Sequence, residues 1–375
     1  MKYIIWGCGV RGVWTKQQLE VVGKDVEVVA FADNSLGKIG RKVENIPVIS
    51  IWRLKKEYVD CRVVIPSTYG EKAVREIVGQ LLDIVEEENI YIVPCSIIQA
   101  GNSAAIESIN DILVSFKEWT QIDYLGIKLV NHCNLNCIRC NNFSNISPED
   151  GYLAKELEKD MERLHALIPN VLNVKLIGGE PLLNGEIEEC IYAVKRYYPY
   201  SRYYIVTNGL LLKSLGKDVL NCFKENKVTV YMTLYPALQN SVDEIAAILL
   251  ENEVPFNIYR SGEYFIPILN EEGGYNPEYI KNQPVDKCVS FYKGNICRCP
   301  AGLNIDVYNK KFHKSFPVSG ITNIYQENLT GQELMEILEK PLELCRYCKE
   351  CYALNEKDYG KKWELGEAKW DDWIS

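Results

Sequence analysis

A chain of 375 residues, 47% hydrophobic and 25% charged, has the make-up of a globular protein of two or three domains, which excludes disorder of the whole chain. Its 42 basic and 51 acidic side chains give a net charge of −9, which argues against a nucleic-acid binder working through clustered Lys and Arg. No run of about 18 apolar residues is present, so no membrane span is expected.

The first hundred residues alternate strand and helix signals. Lys2–Trp6 is a short apolar run entering a glycine loop, which reads as a buried strand and not as a signal peptide. Val13–Val22 follows as a helix, then Val26–Ala32, Ile46–Ile49 and Arg62–Pro66 as strands, Glu71–Val85 as a helix and Ile90–Val93 as a strand. Strands separated by helices predict a parallel sheet covered on both faces. This stretch holds 13 basic and 13 acidic residues, so the negative charge belongs to the remainder. Gly101-Asn102-Ser103 reads as a linker and Ala104–Trp119 as a connecting helix.

A second alternating series starts at Asp123. Strands are expected at Leu125–Val130, Val174–Ile177, Tyr203–Val206, Val228–Leu234 and Phe256–Tyr259. Helices are expected at Ala154–Leu167, Ile187–Tyr197, Leu215–Asn226 and Ser241–Glu251. A repeated β/α unit predicts a complete or partial barrel. Beyond about Asn270 the pattern dissolves into Gly, Pro, Asn and Tyr with six of the fourteen cysteines, the mark of a loop-rich segment held by metal.

The cysteines carry the chemistry. Fourteen is well below the density of a disulfide scaffold, and without an export signal the expected compartment is reducing and cytoplasmic. Clusters there read as metal sites first. Cys133, Cys137 and Cys140 form C-x3-C-x2-C directly after the strand Leu125–Val130. Thiolates hold iron–sulfur clusters, normally one per iron of a four-iron cube, so three leave one iron open for chemistry. Ile177-Gly178-Gly179-Glu180-Pro181 follows the next strand and Thr207-Asn208-Gly209 the one after.

In the order, spacing and strand context of these three motifs, residues 123–352 resemble the radical S-adenosylmethionine (radical SAM) superfamily. The resemblance implies a partial (β/α)6 barrel with a 4Fe–4S cluster on Cys133, Cys137 and Cys140. S-adenosylmethionine would chelate the open iron, with Gly178, Gly179, Glu180, Pro181, Thr207 and Asn208 around it. Its reductive cleavage would give a 5′-deoxyadenosyl radical that takes hydrogen from a substrate carbon, with electrons from a flavodoxin- or ferredoxin-type donor. Arg139 stands where many members place an aromatic residue. The segment with Cys288, Cys297, Cys299, Cys345, Cys348 and Cys351 is similar to the auxiliary-cluster extensions called SPASM or twitch. That likeness assigns a second 4Fe–4S cluster to Cys288, Cys299, Cys345 and Cys348, with Cys297 and Cys351 as alternates; zinc is the competing metal. Cys61, Cys95, Cys190 and Cys222 read as buried small hydrophobes.

Gly7-x-Gly9-x-x-Gly12 opens a helix after a strand, and Asp33 ends the next strand, matching the dinucleotide fingerprint. Phe31-Ala32-Asp33-Asn34 and Ile46–Ile49 resemble the small Rossmann-like domains of sugar-modifying and glycan enzymes. A nucleotide sugar, NAD or no ligand at all stand as alternatives for this loop. His132, His165 and His313 have no triad-like partners.

The expected organisation is α/β throughout. Residues 1–100 form a Rossmann-like parallel-sheet domain, 101–122 a linker and helix, and 123–285 a radical SAM partial barrel. Residues 286–352 form an auxiliary Fe–S extension and 353–375 a C-terminal tail. The expected function is hydrogen abstraction from a sugar, nucleotide sugar or related polar metabolite. A peptide-modifying maturase is the alternative enzyme, and an Fe–S electron-transfer or scaffold protein the alternative of another class.

Overall fold

The computed structural model describes residues 1–23, 25–58, 60–101, 106–261, 264–265, 267–274, 288–348 and 361–374. The chain divides into two compact units, one of residues 1–123 with 168–172, the other of residues 124–167 with 173–375.

The first unit is built on strands β1 (Lys2–Trp6), β2 (Glu27–Ala32), β3 (Lys42–Val43), β4 (Ile46–Ile49), β5 (Arg62–Pro66), β6 (Ile90–Val93) and β7 (Val114–Ser115), ordered β3-β4-β2-β1-β5-β6-β7. β1 lies between β2 and β5 and is parallel to both. The chain therefore steps one way through β2 to β4 and returns across β1 to β5, a topological switch point. Alternation in β1 is buried on both faces: Tyr3 and Ile5 join one apolar cluster with Leu19 of helix α1 (Val10–Val22), Ile4 and Trp6 the other. Helix α2 (Ile51–Glu57) contributes Leu54 to that second cluster, and helix α3 (Glu71–Leu81) contributes Val74, Val78 and Leu81, spaced i, i+4, i+7. Each such side chain stabilises by about 1.5–3 kcal/mol.

The connecting helix expected over Ala104–Trp119 does not form in residues 106–119, and positions 102–105 lie outside the described residues. After helix α4 (Cys95–Ala100), Ser108 and Asp111 close a capping box around the single turn Ile109–Asp111. Ser, Asn and Asp side chains compete for the backbone here and favour a turn over a helix. The chain then adds β7 antiparallel to β6, burying Ile112, Leu113 and Trp119.

In the second unit β8 (Gln121–Val130), β9 (Asn170–Gly178), β10 (Arg202–Thr207), β11 (Val228–Leu234) and β12 (Phe256–Ser261) lie side by side in chain order. Strands β9 to β12 pair in parallel. They alternate with helices α5 (Ala154–Leu167), α6 (Ile187–Tyr197), α7 (Lys217–Glu225) and α8 (Val242–Glu251). Strand β14 (Cys288–Tyr292) then adds parallel to the other edge of β8, followed by β15 (Asn295–Cys297) and β16 (Thr322–Asn323), both antiparallel. Short strand β13 (Tyr264–Phe265) pairs with β17 (Lys361–Lys362).

The cysteine-rich segment is more regular than its composition implies. It contains helices Pro300–Phe312 and Gly331–Glu339, started by Pro at the first position and by a Thr330/Glu333 capping box. The first of these helices, Phe143, Leu342, Cys345 and Trp373 share an apolar core, so residues 361–374 fold back onto the unit. Among the described residues no helix is long and apolar enough to cross a membrane.

Candidate metal centre and cofactor site

The three motifs meet at the carboxyl ends of β8, β9 and β10, where parallel sheets place functional groups. Gly179 N–H donates to the Val130 carbonyl at 3.0 Å and Glu180 N–H to the His132 carbonyl at 3.1 Å. A Cβ on Gly179 would overlap the His132 carbonyl, so the glycine is required by the backbone of the cysteine loop itself. Glu180 is fully buried; its Oε1 accepts from Thr207 Oγ1 at 2.7 Å and Leu182 N–H at 3.1 Å, its Oε2 from Asn208 N–H at 2.8 Å. Burial pushes this carboxyl up to about 7, against the pull of the three donors. The side chain thus faces the chain and ties β9 to β10. Asn208 completes the link, donating Nδ2–H to Asn134 Oδ1 at 2.7 Å and lying 3.6 Å from Cys133 Sγ. Pro181 opens the buried turn Pro181–Leu183.

Cys133 Sγ also accepts from Leu135 N–H at 3.4 Å, and Cys137 Sγ from Trp363 Nε1–H at 3.2 Å. Burial pushes Cys133 up to about 11 and Cys137 up to about 12, and repulsion from Cys140 adds to both. Buried thiols such as Cys133 and Cys137 are donors whose protonation a cation reverses, since coordination deprotonates them outright. Among the described residues no three His, Cys, Asp or Glu groups are disposed to hold a metal ion as the chain stands. The thiols are neighbours on one loop; the donor chemistry fits a thiolate-bound cluster.

Two further residues stand near this loop. Lys128, 2% exposed on β8, donates to Asn304 Oδ1 at 2.6 Å and lies 5.5 Å from the Tyr292 ring centroid. Burial pushes its ammonium down to about 8, against attraction from Cys140, Asp306 and Asp150. A lysine inside an apolar strand is the signal that singles it out. Arg139 is buried with φ +69° and bonds the Lys362 carbonyl at 3.2 Å and Glu364 Oε2 at 2.9 Å. Its guanidinium is thus engaged with residues 361–366.

In the second cysteine group, Cys297 ends β15 fully buried, Cys299 caps the helix Pro300–Phe312, Cys345 lies within the turn Glu343–Tyr347 and Cys348 directly follows it. Cys345 is raised by burial and by its charge interaction with Cys348; Cys297, pushed up to about 11 by burial, feels Cys345. Cys297 and Cys345 share one apolar core, and Cys348 N–H donates to the Cys345 carbonyl at 3.3 Å. The Cys288 side chain and Cys351 lie outside what is described. Cys61, Cys95, Cys190 and Cys222 are buried.

In the first unit the glycines separate by role. Gly7 has φ +93°, a conformation side chains rarely adopt; Gly12 must lack a Cβ because one would overlap the Gly7 carbonyl; Gly9 faces open space. Asp33 accepts from Cys8 N–H at 3.4 Å, Ser35 N–H at 2.9 Å and Lys38 Nζ at 3.0 Å. Burial opposes its charge, but the Ser35 amide, Lys38 and Cys8 outweigh it and hold the carboxyl below its usual range. Arg11 Nη1 reaches Thr68 Oγ1 at 2.6 Å, from the first turn of α1 to the turn after β5.

Residues 127–248 match the radical SAM superfamily model: the chain carries a radical SAM domain. Among curated proteins, the GTP 3',8-cyclase of Clostridium acetobutylicum is 32% identical over 108 residues, 28% of this chain and 32% of the relative. The GTP 3',8-cyclase of Microcystis aeruginosa is 35% identical over 106 residues, 26% and 30% of the two chains. The chain thus spans about a third of the length of these relatives. Among solved structures, BtrN in complex with AdoMet and 2-DOIA is 16% identical, with TM-score 0.36 over 65% of this chain and 100% of the other.

Proposed function

We propose that this chain is a radical SAM enzyme whose cluster is held by Cys133, Cys137 and Cys140. The observation that carries the reading is the convergence of three strand ends. The cysteine loop is hydrogen-bonded to Gly179 and Glu180, Glu180 to Thr207 and Asn208, and Asn208 back to the cysteine loop. Bound there, a 4Fe–4S cluster with S-adenosylmethionine would supply a 5′-deoxyadenosyl radical able to take hydrogen from a substrate carbon. The protein's part is to hold the loop, present the 178–181 turn and the Thr207-Asn208 backbone to the cofactor, and limit water. The finer architecture belongs to the same reading: a Rossmann-like domain, a partial barrel and an auxiliary-cluster extension on Cys288, Cys299, Cys345 and Cys348, with Cys297 and Cys351 as alternates. So do an external electron donor and a nucleotide sugar or NAD at the Gly7–Gly12 loop.

The substrate we favour is a small polar metabolite such as a sugar or nucleotide sugar. Where a filled barrel carries aliphatic side chains, one face of β8 to β11 carries Tyr124, Lys128, Asn173, Lys175, Tyr204 and Tyr231. Lys175 lies 4.6 Å from the Tyr124 ring centroid, Tyr204 bonds Asn173, and the Tyr204 and Tyr231 rings are 4.6 Å apart. Such a face suits hydroxyl and anionic groups. The test is anaerobic reconstitution: about eight irons are expected, with about half lost when Cys133, Cys137 and Cys140 all become Ala. Reduced wild type should form 5′-deoxyadenosine slowly without substrate. Full iron in the triple variant would overturn the assignment.

A further inference from the structure

Residues 361–374 lie along the cysteine loop. Glu364 carbonyl accepts from Ile138 N–H at 3.0 Å, Gly366 N–H donates to the Asn136 carbonyl at 3.1 Å, and Leu365 bridges to Cys137 as in an antiparallel pair. Arg139 is bound to Lys362 and Glu364, and Trp373 Nε1–H donates to the Cys140 carbonyl at 2.9 Å. Lys361, Lys362, Glu364, Leu365 and Glu367 are exposed, so the segment is thin. Its half-buried Trp363 stands with its ring centroid 5.9 Å from that of Tyr235, and its indole N–H points at Cys137 Sγ, 3.2 Å away. Trp373 satisfies its N–H on a backbone carbonyl, the ordinary solution for a buried indole; Trp363 satisfies its own on a thiol of the cysteine motif.

We propose that Trp363 is a positioning residue of the metal centre, whose indole N–H bonds the Cys137 sulfur and raises the reduction potential of the cluster that sulfur ligates. The inference rests on the reading of the preceding subsection. A thiolate accepts this hydrogen bond more strongly than a thiol because it is charged. Donors to ligand sulfurs stabilise the added electron of the reduced cluster, so they move its potential upward. Trp363→Phe keeps an aromatic ring beside Tyr235 and removes only the N–H. Trp370, in the same segment and over Lys314, has no bond to a cysteine sulfur among the described contacts and supplies the matched control.

The experiment compares anaerobically reconstituted full-length wild type, Trp363→Phe and Trp370→Phe by redox titration followed by electron paramagnetic resonance. In the iron-free proteins, the rate of Cys137 alkylation by iodoacetamide at fixed pH is mapped by mass spectrometry. Trp363→Phe should have a more negative midpoint and slower Cys137 alkylation, with Trp370→Phe matching wild type in both. An unchanged midpoint in Trp363→Phe, or an equal shift in Trp370→Phe, overturns the inference. If wild type holds no iron that depends on Cys133, Cys137 and Cys140, the reading of the preceding subsection falls. The alkylation comparison still decides whether the hydrogen bond exists.

Discussion

Gly179→Ala puts one methyl group where the structure has a backbone. The new Cβ would overlap the His132 carbonyl and stand 2.9 Å from the Asn131 oxygen, inside the 3.0 Å that real Cβ atoms keep. Relief requires the end of β9 and the 131–133 segment to part by about 1 Å, and overpacking of that kind costs about 1–3 kcal/mol. The same movement stretches the bonds Gly179 N–H to Val130 and Glu180 N–H to His132, now 3.0 and 3.1 Å. Leaving those amides poorly satisfied adds about 1–2 kcal/mol, for an expected loss of about 2–5 kcal/mol. Urea unfolding of the iron-free protein measures it, with Gly185→Ala as reference because a Cβ there meets nothing within 4 Å. The displaced loop should also hold less iron after reconstitution. Gly179→Ala as stable as Gly185→Ala, with wild-type iron and wild-type 5′-deoxyadenosine, would refute the reasoning.

Glu180→Gln should flatten one component of the pH dependence. Burial raises the carboxyl from 4.5 to about 7, so its neutral form contributes stability that is complete below pH 4.5 and lost as pH rises through 7. The wild-type advantage over the variant should therefore shrink by about 3 kcal/mol between pH 4.5 and pH above 7; a pH-independent difference in urea titrations would contradict this. In the first unit, a nucleotide sugar or NAD should raise the melting temperature of wild type. Asp33→Ala should weaken that shift and, by releasing Ser35 N–H and Lys38, lower stability by about 1–2 kcal/mol. No shift with any nucleotide would remove the ligand and leave a docking domain.

Much of this architecture is legible in the chain. Ile46–Ile49, Arg62–Pro66 and Val228–Leu234 are β-branched runs bounded by turn residues, and they form strands at those residues. Ala154–Leu167 and Ile187–Tyr197 present an apolar stripe with charged residues opposite, and they are helices to the residue. Ala104–Trp119 shares the helical spacing, but the Ser108–Asp111 capping box and pairing of β7 with β6 prevail over it. The helix Pro300–Phe312 is masked by Gly302, Asn304 and Asn309, although its initial proline marks the start. Candidate site residues carried by local motifs, such as Gly179 and Asn208, are visible in the sequence, and strand ends bring them together. The contacts of Lys128 and Trp363 are not, since their partners Asn304 and Cys137 are distant in sequence.

That distance has a consequence for the order in which the proposed metal centre is assembled. Trp363 and Cys137 are separated by 226 positions and Trp373 and Cys140 by 233. During synthesis the cysteine loop emerges long before the segment that covers it, and at about 5–20 residues per second the interval is tens of seconds or less. Closing so long a loop costs only about 1.5RT ln n, near 5 kcal/mol, so the late segment has little entropic difficulty in docking once made. The loop is thus uncovered while the rest of the unit is being assembled and covered when residues 361–374 arrive. On the proposed function, iron has its widest access to the three cysteines in that interval, before residues 361–374 close over them.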